Sequence, residues 1–255
     1  MIISDSSKWA YVHLKKTAGT AFWQWLQQYR IPHRVLRFDK KGTNHSSIYR
    51  LGDKHPDYFK FSTIRNPLTW YKSWYHRAQH NHGGNEMTMF GDITKISLED
   101  WTMKALYPKE NLDLNCEWIW DISADISLQD ILDSKLDTSW LTMHWLIQLS
   151  KIHPKELLSM TEEEVINSFD EILGVDYLFM QETFGETIMK VLAERTLTPQ
   201  SQLNNPIVRR NTGVEVNPNY KSSEVVFSDT LQNEIRNRDK VFYDKFYNQS
   251  PLAGG

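Results

Sequence analysis

Tyr11-Val-His-Leu-Lys-Lys-Thr-Ala-Gly-Thr-Ala-Phe22 is the stretch on which the fold turns. Residues 9–14 form an apolar run that reads as a β-strand, and a helical pattern over 21–29 carries Phe22, Trp25 and Leu26 on one face. Between them lie Lys15, Lys16, Thr17, Ala18, Gly19 and Thr20. A strand, a short polar turn and a helix aim unbonded backbone N–H groups and the positive end of the helix dipole at an anion. A lysine in the turn adds a full mobile charge. The segment reads as a phosphate or sulfate cradle.

Working outward, residues 34–38 read as a second short strand. Tyr58-Phe-Lys-Phe-Ser-Thr-Ile64, alternating and rich in aromatic and β-branched residues, reads as a third. After Asn66-Pro67 the spacing predicts a helix over 68–78, with Pro67 near its first turn. Strands separated by helices imply a parallel sheet with ligands at the carboxyl ends of its strands. Further helices are expected over 98–106, 140–149, 162–169, 184–194 and 228–246. The expected class is α/β: a P-loop-like core with a central parallel sheet flanked by helices, and a mostly helical C-terminal part, in one domain over 1–255.

Composition narrows the function classes. A net charge of −3 gives no global basic field, so nucleic acid is not an expected partner. A single cysteine, Cys116, excludes an internal disulfide framework and fits a reducing compartment. No apolar run approaches the roughly 20 residues that span a bilayer, and the first residues lack a signal-peptide core, so a soluble, cytoplasmic protein is expected.

The order of residues in the turn decides between phosphate chemistries. A Walker A loop needs G-x-x-x-x-G-K-[ST], with lysine after the glycines. Here Lys16 precedes Gly19, which disfavours a generic kinase or NTPase. A second anion grip follows the third strand. In Ser62-Thr-Ile-Arg-Asn-Pro-Leu-Thr-Trp-Tyr-Lys-Ser-Trp-Tyr75, Arg65 closes the strand and Ser73 follows eight residues on. A guanidinium binding bidentately and a hydroxyl donor suit one phosphate. Two grips on two strand–helix units imply a ligand with phosphates at two separate positions, and a nucleotide with a 5′ group and a 3′-phosphate is such a ligand.

These residues resemble the sulfotransferases that use 3′-phosphoadenosine 5′-phosphosulfate (PAPS). His13-Leu-Lys-Lys-Thr-Ala-Gly-Thr-Ala21 is similar to the 5′-phosphosulfate loop of the carbohydrate branch, commonly H-I-P-K-T-A-G-T-S. Ile64-Arg-Asn-Pro67 with Ser73 is similar to the 3′-phosphate motif R-N-P-x-x-R-x-x-S. Weaker likenesses follow in Leu98-Glu-Asp-Trp101, Met143-His-Trp-Leu-Ile-Gln148, Tyr177-Leu-Phe-Met-Gln-Glu-Thr183 and Asp239-Lys-Val-Phe-Tyr243. Two positions depart from the pattern: Lys15 stands where the family often has proline, and Trp70 replaces an arginine. Trp70 thereby removes a charge near the nucleotide or leaves stacking in its place.

The resemblance implies sulfuryl transfer from PAPS to an acceptor hydroxyl, on a small molecule or more specifically a sugar or glycoconjugate, without a metal. Lys16 stabilises the bridging oxygen and the charge on the leaving phosphate. Lys15 adds a second charge to the turn, and the amides from Thr17 through Ala18, Gly19 and Thr20 to Ala21 bind the 5′-phosphate, with the Thr20 hydroxyl as a further contact. Arg65 and Ser73 fix the 3′-phosphate, and Arg209 and Arg210 supply late contacts from a loop. His45, in Thr43-Asn-His-Ser-Ser-Ile48, is the expected general base, ahead of Asp39 and then His13. Aromatic residues over 76–101 are expected to wall the acceptor groove. His80 and His82 read as loop residues, Glu182 as capping or orienting a helix, and Cys116 as a small buried hydrophobe. The alternatives are a PAPS-binding or bisphosphate-binding protein without catalysis, and an ATP-dependent phosphotransferase built on the same strand–turn–helix.

Overall fold

The computed structural model describes residues 1–36, 46–80, 89–113, 125–194 and 226–248. The chain opens with strands β1 (Ile2–Ser4) and β2 (Trp9–Val12), helix α1 (Gly19–Gln28) and strand β3 (Arg34–Val35). Two short 3₁₀ turns then lead to β4 (Phe59–Ile64) and α2 (Pro67–His80). A run of helices follows: α3 (Leu98–Leu106), α4 (Pro108–Asn111), α5 (Leu128–Leu132), α6 (Trp140–Leu149), α7 (Pro154–Leu158), α8 (Glu162–Asn167) and α9 (Phe169–Ile172). Strand β5 (Tyr177–Met180) precedes α10 (Phe184–Glu194), α11 (Asp229–Arg238) and α12 (Lys240–Phe246).

The five strands form one sheet in the order β3-β1-β2-β4-β5. It is mixed, which corrects the expected all-parallel sheet. β2, β4 and β5 run parallel, with Tyr11 beside Phe61 and Ile64 beside Met180. β1 is antiparallel to both β2 and β3, and β3 forms that edge. The strand expected over 34–38 is only Arg34–Val35, an edge strand. The parallel part is what positions ligands, because the carboxyl ends of β2, β4 and β5 lie side by side.

Strand alternation sorts the side chains into two layers. Trp9, Tyr11, Phe59 and Phe61 face α1 and α10, meeting Phe22, Trp25, Leu26, Phe184, Ile188 and Leu192. The rings pack edge-on: Tyr11 and Phe22 have centroids 4.8 Å apart, Phe61 and Phe179 5.7 Å apart. Each such pair adds about 0.5–1.5 kcal/mol beyond area burial. Ala10, Val12 and Ile64 face the opposite layer, built mostly from α2, α3, α6, α11 and α12. At its centre is α6, all ten of whose residues are buried, with the Ser139 hydroxyl accepting from Thr142 N–H at its start. A helix apolar all round is one surrounded by protein.

The helices expected over 98–106, 140–149 and 184–194 are present with those bounds. Two others are broken. The pattern over 162–169 stops at Asn167 and restarts at Phe169. The pattern over 228–246 divides at Asp239, whose buried carboxylate accepts hydrogen bonds from Ser139, from Thr142 at 2.8 Å and from Tyr71 at 3.0 Å. Burial pushes that carboxyl up to about 6, against the pull of its three hydroxyl donors. Among the described residues, no helix is long and apolar enough to cross a membrane.

Candidate functional site

The turn after β2 is held by one of its own side chains and by two from beyond β4. Lys16 and Ala18 both adopt left-handed backbone, at φ 63° and 70°. That conformation costs an L-residue about 1–2 kcal/mol, so the surroundings must impose it. Three side chains do so by donating to carbonyls of the segment. Thr17 Oγ1 donates to Leu14 at 3.0 Å, Trp70 Nε1 to Lys15 at 2.9 Å, and Arg65 Nη1 to Lys16 at 3.4 Å.

Gly19 opens α1 and is required by contact: a Cβ there would lie 1.8 Å from Cδ2 of the His13 ring. The first turn of α1 has no side-chain cap and no acidic residue. Its first backbone bond runs from Phe22 N–H to the Ala18 carbonyl. The amides of Gly19, Thr20 and Ala21 therefore meet no acceptor among the described residues. They are the orphan donors of a helix start, directed where an anion would sit. Lys15 is buried, Lys16 half-buried and Thr20 exposed.

The second unit is built from side chains. Arg65, just past β4, donates through Nε to Thr69 Oγ1 at 2.9 Å while Nη1 reaches the Lys16 carbonyl. One guanidinium thus joins the two units that the sequence placed 49 residues apart. Ser73 is half-buried one helical turn beyond Thr69. The start of α2 is already occupied: Asn66 Oδ1 accepts from Leu68 N–H, and Glu182 Oε1 accepts from Asn66 N–H, both at 3.0 Å. Glu182 Oε2 accepts from the Tyr247 hydroxyl at 3.3 Å. Burial foremost, then the Glu182 charge, push that hydroxyl well above its usual pKa, while Arg65 opposes them. Glu182 does orient a helix start, as the sequence suggested, and it comes from the end of β5.

Several expectations change. Trp70 lines no ligand. It is buried in the core, 4.5 Å from Trp74 between ring centroids, and its indole N–H fixes the Lys15 carbonyl. Phe90 and Trp101 are core residues as well, edge-on to one another and nearly inaccessible, so they do not wall a groove. His45, Asp39, His82, Cys116, Arg209 and Arg210 lie outside the described residues.

The sequence reading gave no role to two residues the structure brings to this region. Thr69 receives Arg65, and its signal was the four-residue step between them. His144 is 2% exposed in the middle of α6, and neither ring nitrogen has a hydrogen-bond partner among the described residues. Burial, with the Lys15 charge adding to it, lowers its pKa to about 3, so the ring is neutral at physiological pH. Its signal was an ionisable residue inside an otherwise uncharged helix.

No protein-family model, curated protein or solved structure matches the chain.

Proposed function

We propose that this protein is a PAPS-dependent sulfotransferase with a P-loop-like core, acting on an acceptor hydroxyl of a carbohydrate or glycoconjugate. One observation carries the reading: the Arg65 guanidinium donates to the Lys16 carbonyl, so the two cationic units meet at neighbouring strand ends. A ligand with anionic groups at two positions suits that pair better than a linear triphosphate does. The unclaimed amides at the start of α1 fit a 5′-phosphate, and Arg65 with Ser73 fits a 3′-phosphate.

PAPS supplies the sulfuryl group and the leaving bisphosphate. Lys16 neutralises the charge growing on the bridging oxygen. The amides of residues 17–21 hold the 5′-phosphate in line for displacement, where positioning matters more than covalent catalysis. Lys15, close behind, raises the positive potential of the turn. His45 takes the proton of the acceptor hydroxyl, and Arg209 and Arg210 add late contacts to the nucleotide. The scheme calls on no metal.

Calorimetry tests the nucleotide assignment. Adenosine 3′,5′-bisphosphate is expected to bind more tightly than ADP or ATP, and tighter binding of magnesium–ATP would replace this reading with a phosphotransferase. Transfer of labelled sulfate from PAPS to a panel of acceptors separates an enzyme from a binder. Lys16→Ala is expected to abolish transfer, and His45→Ala with full activity would move the base elsewhere.

A further inference from the structure

Beneath the turn after β2 lies a row of hydroxyls. Tyr11, Thr17 and Thr63 are all fully buried. Tyr11 Oη and Thr63 Oγ1 are 3.2 Å apart, and the Thr17 hydroxyl is a further hydrogen-bond partner of Tyr11. Counting protons gives the row one direction. Thr17 donates its single proton to the Leu14 carbonyl at 3.0 Å, so it accepts from Tyr11. Tyr11 then has no proton for Thr63 and accepts from it instead. The chain runs from Thr63 through Tyr11 and Thr17 to the Leu14 carbonyl. Burial pushes the Tyr11 hydroxyl up to about 12 against the pull of both threonines, so its proton stays in place at neutral pH. Phenylalanine and valine would fill the places of Tyr11 and Thr63 with no polar atom to satisfy, so the hydroxyls call for a role.

The Tyr11 ring also supports both ends of the turn. It stacks on His13 with centroids 6.0 Å apart, and that imidazole is what a Cβ at Gly19 would strike. On α1 it meets Phe22 edge-on at 4.8 Å. Thr17 itself lies between Lys16 and Ala18, the two residues in left-handed backbone. Such strain persists only where the surroundings over-determine it. We propose that Tyr11 and Thr63 are positioning residues for the first anion cradle: their hydroxyls fix Thr17, and through it the strained turn that aims Lys16 and the amides opening α1 at one phosphate. Neither side chain touches the ligand. Tyr11 acts on Thr17 directly, whereas Thr63 acts only through Tyr11. This deepens the nucleotide reading above and rests on it.

The test compares adenosine 5′-monophosphate, which engages the turn, with adenosine 3′-monophosphate, which engages the second unit, by calorimetry. Thermal melts establish that each variant is folded at the temperature used. Tyr11→Phe keeps the ring on His13 and Phe22 and removes only the hydroxyl. It should weaken the 5′-monophosphate about ten-fold, the size of one buried hydrogen bond left unmade, and the 3′-monophosphate under two-fold. Thr63→Val should weaken the 5′-monophosphate a few-fold, and Thr63→Ser should stay within two-fold of wild type. Because Thr63 acts only through Tyr11, the double variant Tyr11→Phe/Thr63→Val should lose no more than Tyr11→Phe alone. Wild-type affinity in Tyr11→Phe, equal loss on both monophosphates, failure of Thr63→Ser to retain affinity, or additive losses in the double variant overturns the proposal. Wild type that binds neither monophosphate removes the nucleotide reading and this proposal with it, a different outcome visible before any variant is made.

Discussion

The turn after β2 and the turn after β4 occupy equivalent places in the sheet, yet they are built in opposite ways. The first is a backbone device. Lys16 and Ala18 are held in left-handed conformation, three side-chain donors, two of them distant in sequence, fix its carbonyls, and the amides opening α1 meet no acceptor among the described residues. The second is a side-chain device. Its helix start is already satisfied by Asn66 and Glu182, and what it offers outward is the Arg65–Thr69–Ser73 stripe. A backbone cradle fixes an anion rigidly and closely. A side-chain grip admits adjustment and charge selection. A transferring sulfate needs the first property, and an anchoring phosphate is served by the second.

Breaking the backbone device should have the largest effect. Gly19→Ala puts a methyl group 1.8 Å from the His13 ring, which itself stacks on Tyr11, so ring or turn must shift. Overpacking of this kind costs about 1–3 kcal/mol of stability, read by denaturant unfolding. The displaced amides should cost roughly a hundred-fold in nucleotide affinity if the loss is near 2.7 kcal/mol. The double variant His13→Ala/Gly19→Ala should recover much of the affinity. No recovery would mean that Gly19 matters through backbone freedom and not through the contact.

The second device is anchored through a group that titrates. Tyr71, on the inner face of α2, donates to Asp239. The folded-state pKa of Asp239 is raised from 3.8 to about 6, so the folded protein holds this proton more tightly than the unfolded chain does. Its stabilisation is complete below about pH 4 and is lost as pH rises through 6, with a slope approaching about 1.4 kcal/mol per pH unit. Thermal melts from pH 4 to 8 should show this decline, and Asp239→Asn should flatten it. An unchanged slope in the variant would assign the dependence to other groups.

Much of this arrangement was readable from local pattern, and what was not depends on contacts distant in the chain. The strand, turn and helix at 9–28 follow from an apolar run meeting helical spacing, and Arg65 was readable because it closes an alternating strand. β1 escaped notice because three residues carry no periodicity, and its antiparallel pairing makes the sheet mixed. The break at Asp239 has no proline or glycine to mark it. It follows from a carboxylate satisfied by Ser139 and Thr142, about a hundred residues away in sequence. Trp70 looked like a lost charge because local pattern cannot show that its N–H meets a carbonyl 55 residues earlier.

That bond gives a smaller test. Trp70→Phe leaves the buried Lys15 carbonyl without its donor, at a cost of about 1–2 kcal/mol in stability. If the loosened turn holds the 5′ end, as proposed, affinity falls alike for adenosine 5′-monophosphate and the 3′,5′-bisphosphate. A loss confined to the bisphosphate would place Trp70 with the second device despite its contact with the first.

The smallest effect is expected at Glu182, and its sign carries the information. This carboxylate accepts from Asn66 N–H at the start of α2, and it and Arg65 both act on Tyr247. Glu182→Gln keeps an oxygen for the Asn66 amide and removes one negative charge beside the arginine. If the second device works through side-chain charge, bisphosphate affinity should rise about two- to three-fold, the size of a screened interaction near the surface, and should fall more steeply with salt. Monophosphate affinity should not move. If Glu182 serves chiefly to hold the start of α2, its neutral replacement weakens that hold and affinity falls instead. A rise separates the two turns as different devices, whereas a fall makes the second turn, like the first, dependent on how its backbone is held.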